Sequence, residues 1–215
     1  MTGDMTDAGT TKGLITCRER SASDGIRHHS APTMIPVGYM AKRVSSYPKW
    51  LNTARVVDIY SVSDCMSDAF ADYIGFWKHN GYWFFDSPEI IQRLADEHSI
   101  DLAATRLFYY EAHELEFDDD QSLWKPFLPE PTMETQVIEL REKHLVGYDV
   151  VTFSAGTTAE CSPLSCNHLA TELDTNQHCL LFSFKRAKEL LEQGKFTNSE
   201  PGPFRIFAVH TLDWP

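Results

Sequence analysis

The chain has 215 residues, of which 42% are hydrophobic, and carries 19 Lys and Arg against 31 Asp and Glu, a formal net charge of −12. That apolar content builds a globular core and excludes a disordered chain. The acidity argues against nucleic acid as a partner, because a phosphate backbone would be repelled. No apolar run approaches the roughly 18 residues a membrane helix needs.

Charge is unevenly placed. Residues 1–33 hold four basic side chains (Lys12, Arg18, Arg20, Arg27) and four acidic ones (Asp4, Asp7, Glu19, Asp24), so the whole negative balance falls on residues 34–215. Residues 1–33 are also rich in Thr, Ser, Asp and Gly without an apolar period. This reads as a disordered extension, with Met34 as the functional start and 34–215 as one globular domain. No positively charged segment followed by an apolar one opens the chain. Five cysteines (Cys17, Cys65, Cys161, Cys166, Cys179) form an odd set without disulfide-scaffold spacing. They imply free thiols in a reducing compartment, hence a cytoplasmic protein.

In chain order, Arg55–Tyr60 is β-branched and aromatic and predicts a buried strand. A loop with Asp64–Cys65 follows, then a helix whose Phe70, Tyr73, Ile74 and Trp77 share one face, stopped near Asn80–Gly81. Tyr82–Phe85 predicts a second strand. Ser87–Pro88–Glu89 starts a helix, with a polar cap, Pro in the first turn and an acid at the positive end. Arg106–Phe117 predicts a long strand, and the acidic corner Asp118–Asp120 leads into a Pro-punctuated connection, with Gln136–Leu140 as an extra strand.

The order then recurs: strand Tyr148–Ser154, a loop ending in Glu160–Cys161, a helix opened by Ser162–Pro163 with Cys166, Leu169, Ala170 and Leu173 on its apolar face, strand His178–Phe184, helix Lys185–Gln193 closed by Gly194, and strand Phe204–Thr211. Alternating strands and helices predict an α/β or α+β fold, a mixed sheet with flanking helices. The near-constant spacing predicts two pseudo-repeated βαβαβ halves, about 55–117 and 147–211. It also pairs Asp64–Cys65 with Glu160–Cys161.

Cys65 and Cys161 each follow a strand and precede a helix, the loop position where open α/β sheets bind ligands and where a thiol's pKa falls. They are expected to share one crevice. By alternation Tyr109, Glu111 and His113 lie on the core side of their strand, a carboxylate and an imidazole at half-buried positions that suit a polar binding spot or an acid–base pair. Cys161, Cys166, His168, His178 and Cys179 do not follow a usual zinc spacing. Ser165, His168 and Glu172 share a helix face but lack the geometry of a nucleophilic triad. No cofactor or phosphate-binding glycine motif is implied. The candidate binding residues are therefore Cys65, Tyr109, Glu111, His113, Glu160, Cys161 and His168. They suit an acidic binding protein, of the immunity or antitoxin kind, that engages a basic protein partner through aromatic anchors such as Trp77, Tyr82, Trp83 and Trp124; a small-molecule ligand is also compatible. The alternative is a small hydrolase or transferase using Cys161, assisted by His113 or His168.

Overall fold

The computed structural model describes residues 32–63, 80–103, 105–152 and 161–214. The N-terminal stretch 1–31, the loop and helix expected over 64–79, and the loop through Glu160 lie outside the described residues. Pro32 and Thr33, assigned by composition to the extension, belong with the folded unit; the Thr33 carbonyl lies 3.1 Å from His113 Nδ1.

Strand β1 (Met34–Lys42) begins where the composition changes. Strands β2 (Ser45–Ser46) and β3 (Asp58–Ile59) form a small separate ribbon. Helix α1 (Pro88–His98) opens as its capping signal implies, Ser87 standing before Pro88, and buries Ile91 and Ala95. Strand β4 (Arg106–Asp118) follows, then β5 (Leu123–Pro126), β6 (His144–Thr152), the short α2 (Pro163–Cys166), α3 (Phe184–Glu192) and β7 (Phe204–Leu212). The main sheet has the order β1-β4-β7-β6, with β5 folded back on β4, and every ladder is antiparallel. The class is α+β and sheet-dominated.

Several expectations need correction. The parallel pairing that βαβαβ units imply is absent from the described ladders. Arg55–Tyr60 contributes only two paired residues, and Tyr82–Phe85 and His178–Phe184 contribute one bridge each, at Phe85 and Leu181. Their apolar side chains are buried as the composition suggested, but burial was reached by loop packing rather than by ladders. Gln136–Leu140 is not a strand, whereas Leu123–Pro126 is. The helix expected through Leu173 stops at Cys166: His168 takes a left-handed conformation (φ 62°), and a single 3-10 turn, Leu169–Thr171, follows.

Strand β4 carries buried residues on both faces along most of its length, and its two edges are paired with β1 and β7. Phe108 and Tyr110 stack on one side, and Phe84 packs on Tyr110 with ring centroids 4.8 Å apart. The alternation read from sequence fails beyond Ala112, where the β4–β7 register shifts. Glu116, which strict alternation would set opposite Glu111 and His113, is buried in a 2.8 Å ion pair with Arg205.

One local construction occurs twice. Gly38 (φ 128°) in β1 and Gly147 (φ 155°) in β6 each accompany a shift in their ladder. A Cβ on Gly38 would stand 2.6 Å from Phe85 O, so only glycine permits the approach. The next residues, Tyr39 and Tyr148, exchange backbone hydrogen bonds with Phe85 and Leu181 respectively. Upstream of each bridge an asparagine organises the turn. Asn80 Nδ2 donates to Val37 O, and its Oδ1 accepts from the amides of Tyr82 and Phe84. Asn176 Nδ2 donates to Val146 O, and its Oδ1 accepts from the amides of His178 and Leu180. Trp83 and Cys179 are left-handed at matching places in the two turns. A serine then stands at a helix N-cap position, Ser183 accepting from Arg186 N through its hydroxyl and Ser87 making no such side-chain bond.

Each asparagine thus satisfies three backbone groups that have no other side chain to serve them. Asn80→Ala and Asn176→Ala are each expected to lower stability by about 2–3 kcal/mol, the cost of leaving such groups unpaired. Urea unfolding midpoints measure this, and a loss within error of zero for either variant would show that its turn is held by something else.

Candidate functional site

Lys42, the last residue of β1, is almost fully buried. A buried ammonium is costly unless its donors are satisfied. Lys42 Nζ donates to the carbonyls of Ser61 (3.1 Å), Val62 (2.7 Å) and Ser63 (3.1 Å). Asp149 of β6 is completely buried and approaches the same turn from its amide side, Oδ2 accepting from Val62 N at 2.8 Å. Its Oδ1 accepts from Val150 N (2.9 Å) and from Ser162 Oγ (2.5 Å). Two opposite buried charges therefore fix the 61–63 turn, and Asp149 ties that turn to the start of α2.

Hydroxyls and thiols gather at this junction. Ser61 Oγ and Ser63 Oγ are 2.7 Å apart. Ser63 Oγ lies 3.8 Å from Cys166 Sγ, and Ser165 Oγ lies 3.9 Å from the same sulfur. The Cys161 backbone carbonyl accepts from Thr152 N at the end of β6, and its thiol points to Asn167 Oδ1 at 3.6 Å. Asn167 in turn donates to Ser199 O and Glu200 Oε1. Cys161 and Cys166 are partly exposed, while Cys179 is buried. Burial, with the Asp149 charge and Cys166 adding to it, pushes the Cys179 thiol far up, so it is a packing residue.

The candidate residues separate into groups. Cys65 and Glu160 lie outside the described residues; their described neighbours are Ser63, near Cys166, and Cys161 itself. Tyr109 and Glu111 share one face of β4, with Tyr110 and Ala112 buried on the other. The partner of Glu111 is not His113, however, but His210 of β7, whose Nε2 lies 2.9 Å from Glu111 Oε2. His113 is enclosed by Phe184 and Trp124, with ring centroids 4.7 and 5.6 Å away, and burial pushes its pKa down. His168 packs against Trp50 at 5.4 Å. The break after Cys166 separates Ser165, His168 and Glu172, which therefore do not share a helix face. His178 stacks on Tyr60 at 4.1 Å, and no group of three or more His, Cys, Asp or Glu among the described residues could hold a metal ion.

Lys42, Ser63, Asp149 and His210 were not singled out from sequence. Asp149 carried a usable signal, a charge inside the apolar run Tyr148–Val151; Lys42 carried none, since a strand-ending lysine ordinarily reads as solvent-facing. Comparison with protein-family models, curated proteins and solved structures found no match.

Burial pushes the Asp149 carboxyl up to about 6, against the opposing effects of Ser162, Val62, Val150 and Lys42. A carboxyl raised above its unfolded value of 3.8 holds its proton longer when folded. Its stabilising contribution is therefore full below roughly pH 4 and is lost as pH rises through about 6. Asp149→Asn removes that titration but sets an amide donor against the Val62 N–H or its neighbours. The variant should be less stable at all pH values, and the wild-type advantage should shrink between about pH 4 and about pH 7. Denaturant unfolding of both proteins across that range tests this; an advantage that grows with pH would mean the carboxylate is better paired than its burial implies.

Proposed function

We propose that the chain is a binding protein that engages a basic protein partner, of the immunity or antitoxin kind, through the partly exposed Cys161 and Cys166, which the buried Ser63 and Ser162 support from beneath. One observation carries the reading. Lys42 and Asp149 clamp one turn between them and tether it to α2, so the partly exposed thiols sit at a rigid seam rather than on free loops. Preorganised surfaces of this kind save the ordering entropy of binding. The charge of −12 favours a basic partner through steering.

The aromatic anchors expected from sequence are not the ones this reading uses. Tyr82 is buried, Trp124 is spent on Phe117 and on a hydrogen bond to Glu192, and Trp77 lies outside the described residues. Tyr47 and Trp50, 73% and 41% exposed, take that role in the proposal. The proposal includes a reducing compartment and no nucleic acid; no described helix is long and apolar enough to cross a membrane. It also includes equivalence of the two halves. The offset that carries Asn80 to Asn176 and Ser87 to Ser183 also carries Asp64–Cys65 onto Glu160–Cys161 in the sequence, although Asp64, Cys65 and Glu160 lie outside the described residues.

A cysteine hydrolase or transferase using Cys161 is the second reading, favoured by the polar partner of that thiol, Asn167. It ranks below binding because, among the described residues, His113 and His168 pack elsewhere. Iodoacetamide labelling of Cys161 and Cys166 against pH, read by peptide mass spectrometry, separates the two. The binding reading expects labelling that climbs toward an ordinary thiol pKa of about 8.5. The enzyme reading expects a plateau below neutral pH for Cys161. Under the binding reading alkylated protein also loses its partner in affinity capture from its native source, while Cys161→Ser retains it; capture unchanged by alkylation would remove the junction from recognition.

A further inference from the structure

Apart from the thiol junction, the middle of the sheet holds a second polar cluster. Tyr109 of β4 is paired across the ladder with His210 of β7, and Glu111 lies two residues along on the same face. Glu111 Oε2 accepts from His210 Nε2, and its Oε1 accepts from Lys143 Nζ at 2.6 Å. Lys143 also donates to Glu139 Oε1 at 2.6 Å, and its ammonium stands 5.0 Å from the ring centroid of Tyr109. Two carboxylates and an aromatic face are the surroundings that select a compact ammonium.

The ammonium is delivered by segment 134–143, which has no regular secondary structure and is tied down at its other end. Asp86 accepts from Thr135 Oγ1 and Gln136 N through its carboxylate and from Ile138 N through its carbonyl, and Tyr39 Oη donates to Ile138 O. Burial alone would lower the pKa of Lys143, but Glu111 and Glu139 together outweigh it and the net shift is upward. Burial is the chief cause that pushes the His210 pKa down, which favours the neutral ring. A carboxylate only accepts, so the His210 proton sits on Nε2 and Nδ1 is a bare acceptor. That Nδ1 is buried without a hydrogen-bond partner on a side chain more than nine-tenths buried, and Tyr109 Oη, also buried, has only the neighbouring Glu111 carboxylate beside it. The cluster thus offers more hydrogen-bonding capacity than Lys143 uses, and buried polar groups are rarely left so.

We propose that Tyr109, Glu111, Glu139 and His210 form a recognition site for a primary ammonium group, with the chain's own Lys143 as its resident occupant. The ligand is a free alkylamine or the lysine side chain of a partner, which takes the place of Lys143 when segment 134–143 lifts. The site shares no residue with the thiol junction, so either can fail alone.

Chemical rescue tests it. Lys143→Ala should lower the melting temperature, and n-butylammonium chloride should restore most of that loss in a saturable way. Tetramethylammonium chloride at equal ionic strength, which lacks N–H donors, should not. Adding Glu111→Gln to the variant should abolish the rescue. Equal responses to the two salts, or a rescue that survives Glu111→Gln, would overturn the site. If Lys143→Ala does not fold in plain buffer, refolding from denaturant in the two salts gives the same decision: recovery favoured by butylammonium supports the site, and equal recovery or none overturns it. Nα-acetyl-lysine amide separates the sources. Rescue by it as well as by butylammonium supports a partner's lysine, and rescue by butylammonium alone supports a free amine.

Discussion

The turn Ser61–Val62–Ser63 is held by two buried charges that never need to touch each other. Lys42 takes its carbonyls and Asp149 takes a central amide, so the peptide units between them are polarised in one direction and each charge is stabilised by dipoles rather than by a counter-ion alone. Removing either charge would leave the other buried against dipoles oriented for both, which is why such pairs are costly to break singly. Everything that gives the thiol junction its shape depends on this arrangement. Ser162 is fixed through Asp149, α2 is fixed through Ser162, and Cys166 is thereby set against Ser63.

What could be read from sequence was mostly local. The Ser87–Pro88 helix start, the long strand from Arg106, the helix expected from Lys185 and found from Phe184, and the final strand from Phe204 each rest on signals within a few residues, and each has its counterpart in the structure. What failed was pairing. Val56, Ile59, Phe84, Phe85, Leu180 and Leu181 are buried, and β-branched and aromatic composition reports burial; it does not say whether a ladder or a loop achieves it. Glu111 illustrates the same limit at a site. Its inward orientation followed from alternation along β4, but its imidazole partner sits on β7, and only the sheet order brings the two together.

The turns around Asn80 and Asn176 share one construction although the residues around them differ. An asparagine amide can bond one strand through its NH₂ and close two amides through its oxygen, a role few other side chains can fill. The positions around it need only be apolar and are free to differ, as Phe85 and Leu181 do. What the two turns share is a set of backbone requirements, met by Gly, Asn and Ser, while the apolar residues packed around them differ.

Strand β4 sits between β1 and β7, and β7 in turn separates β4 from β6. Of the strands in this sheet, the one that seals its centre is the last in the chain. During synthesis β1 and β4 can pair early, yet the inner edge of β4 and all of β6 have no backbone partner in the sheet until β7 emerges. Both carry buried apolar side chains there, Tyr109, Tyr110 and Ala112 on β4 and Val150 and Val151 on β6, and an open edge of this kind is a template for another chain. Ribosome-bound intermediates of this protein are therefore the stage most exposed to mispairing, a burden set by strand order and not by the stability of the finished fold.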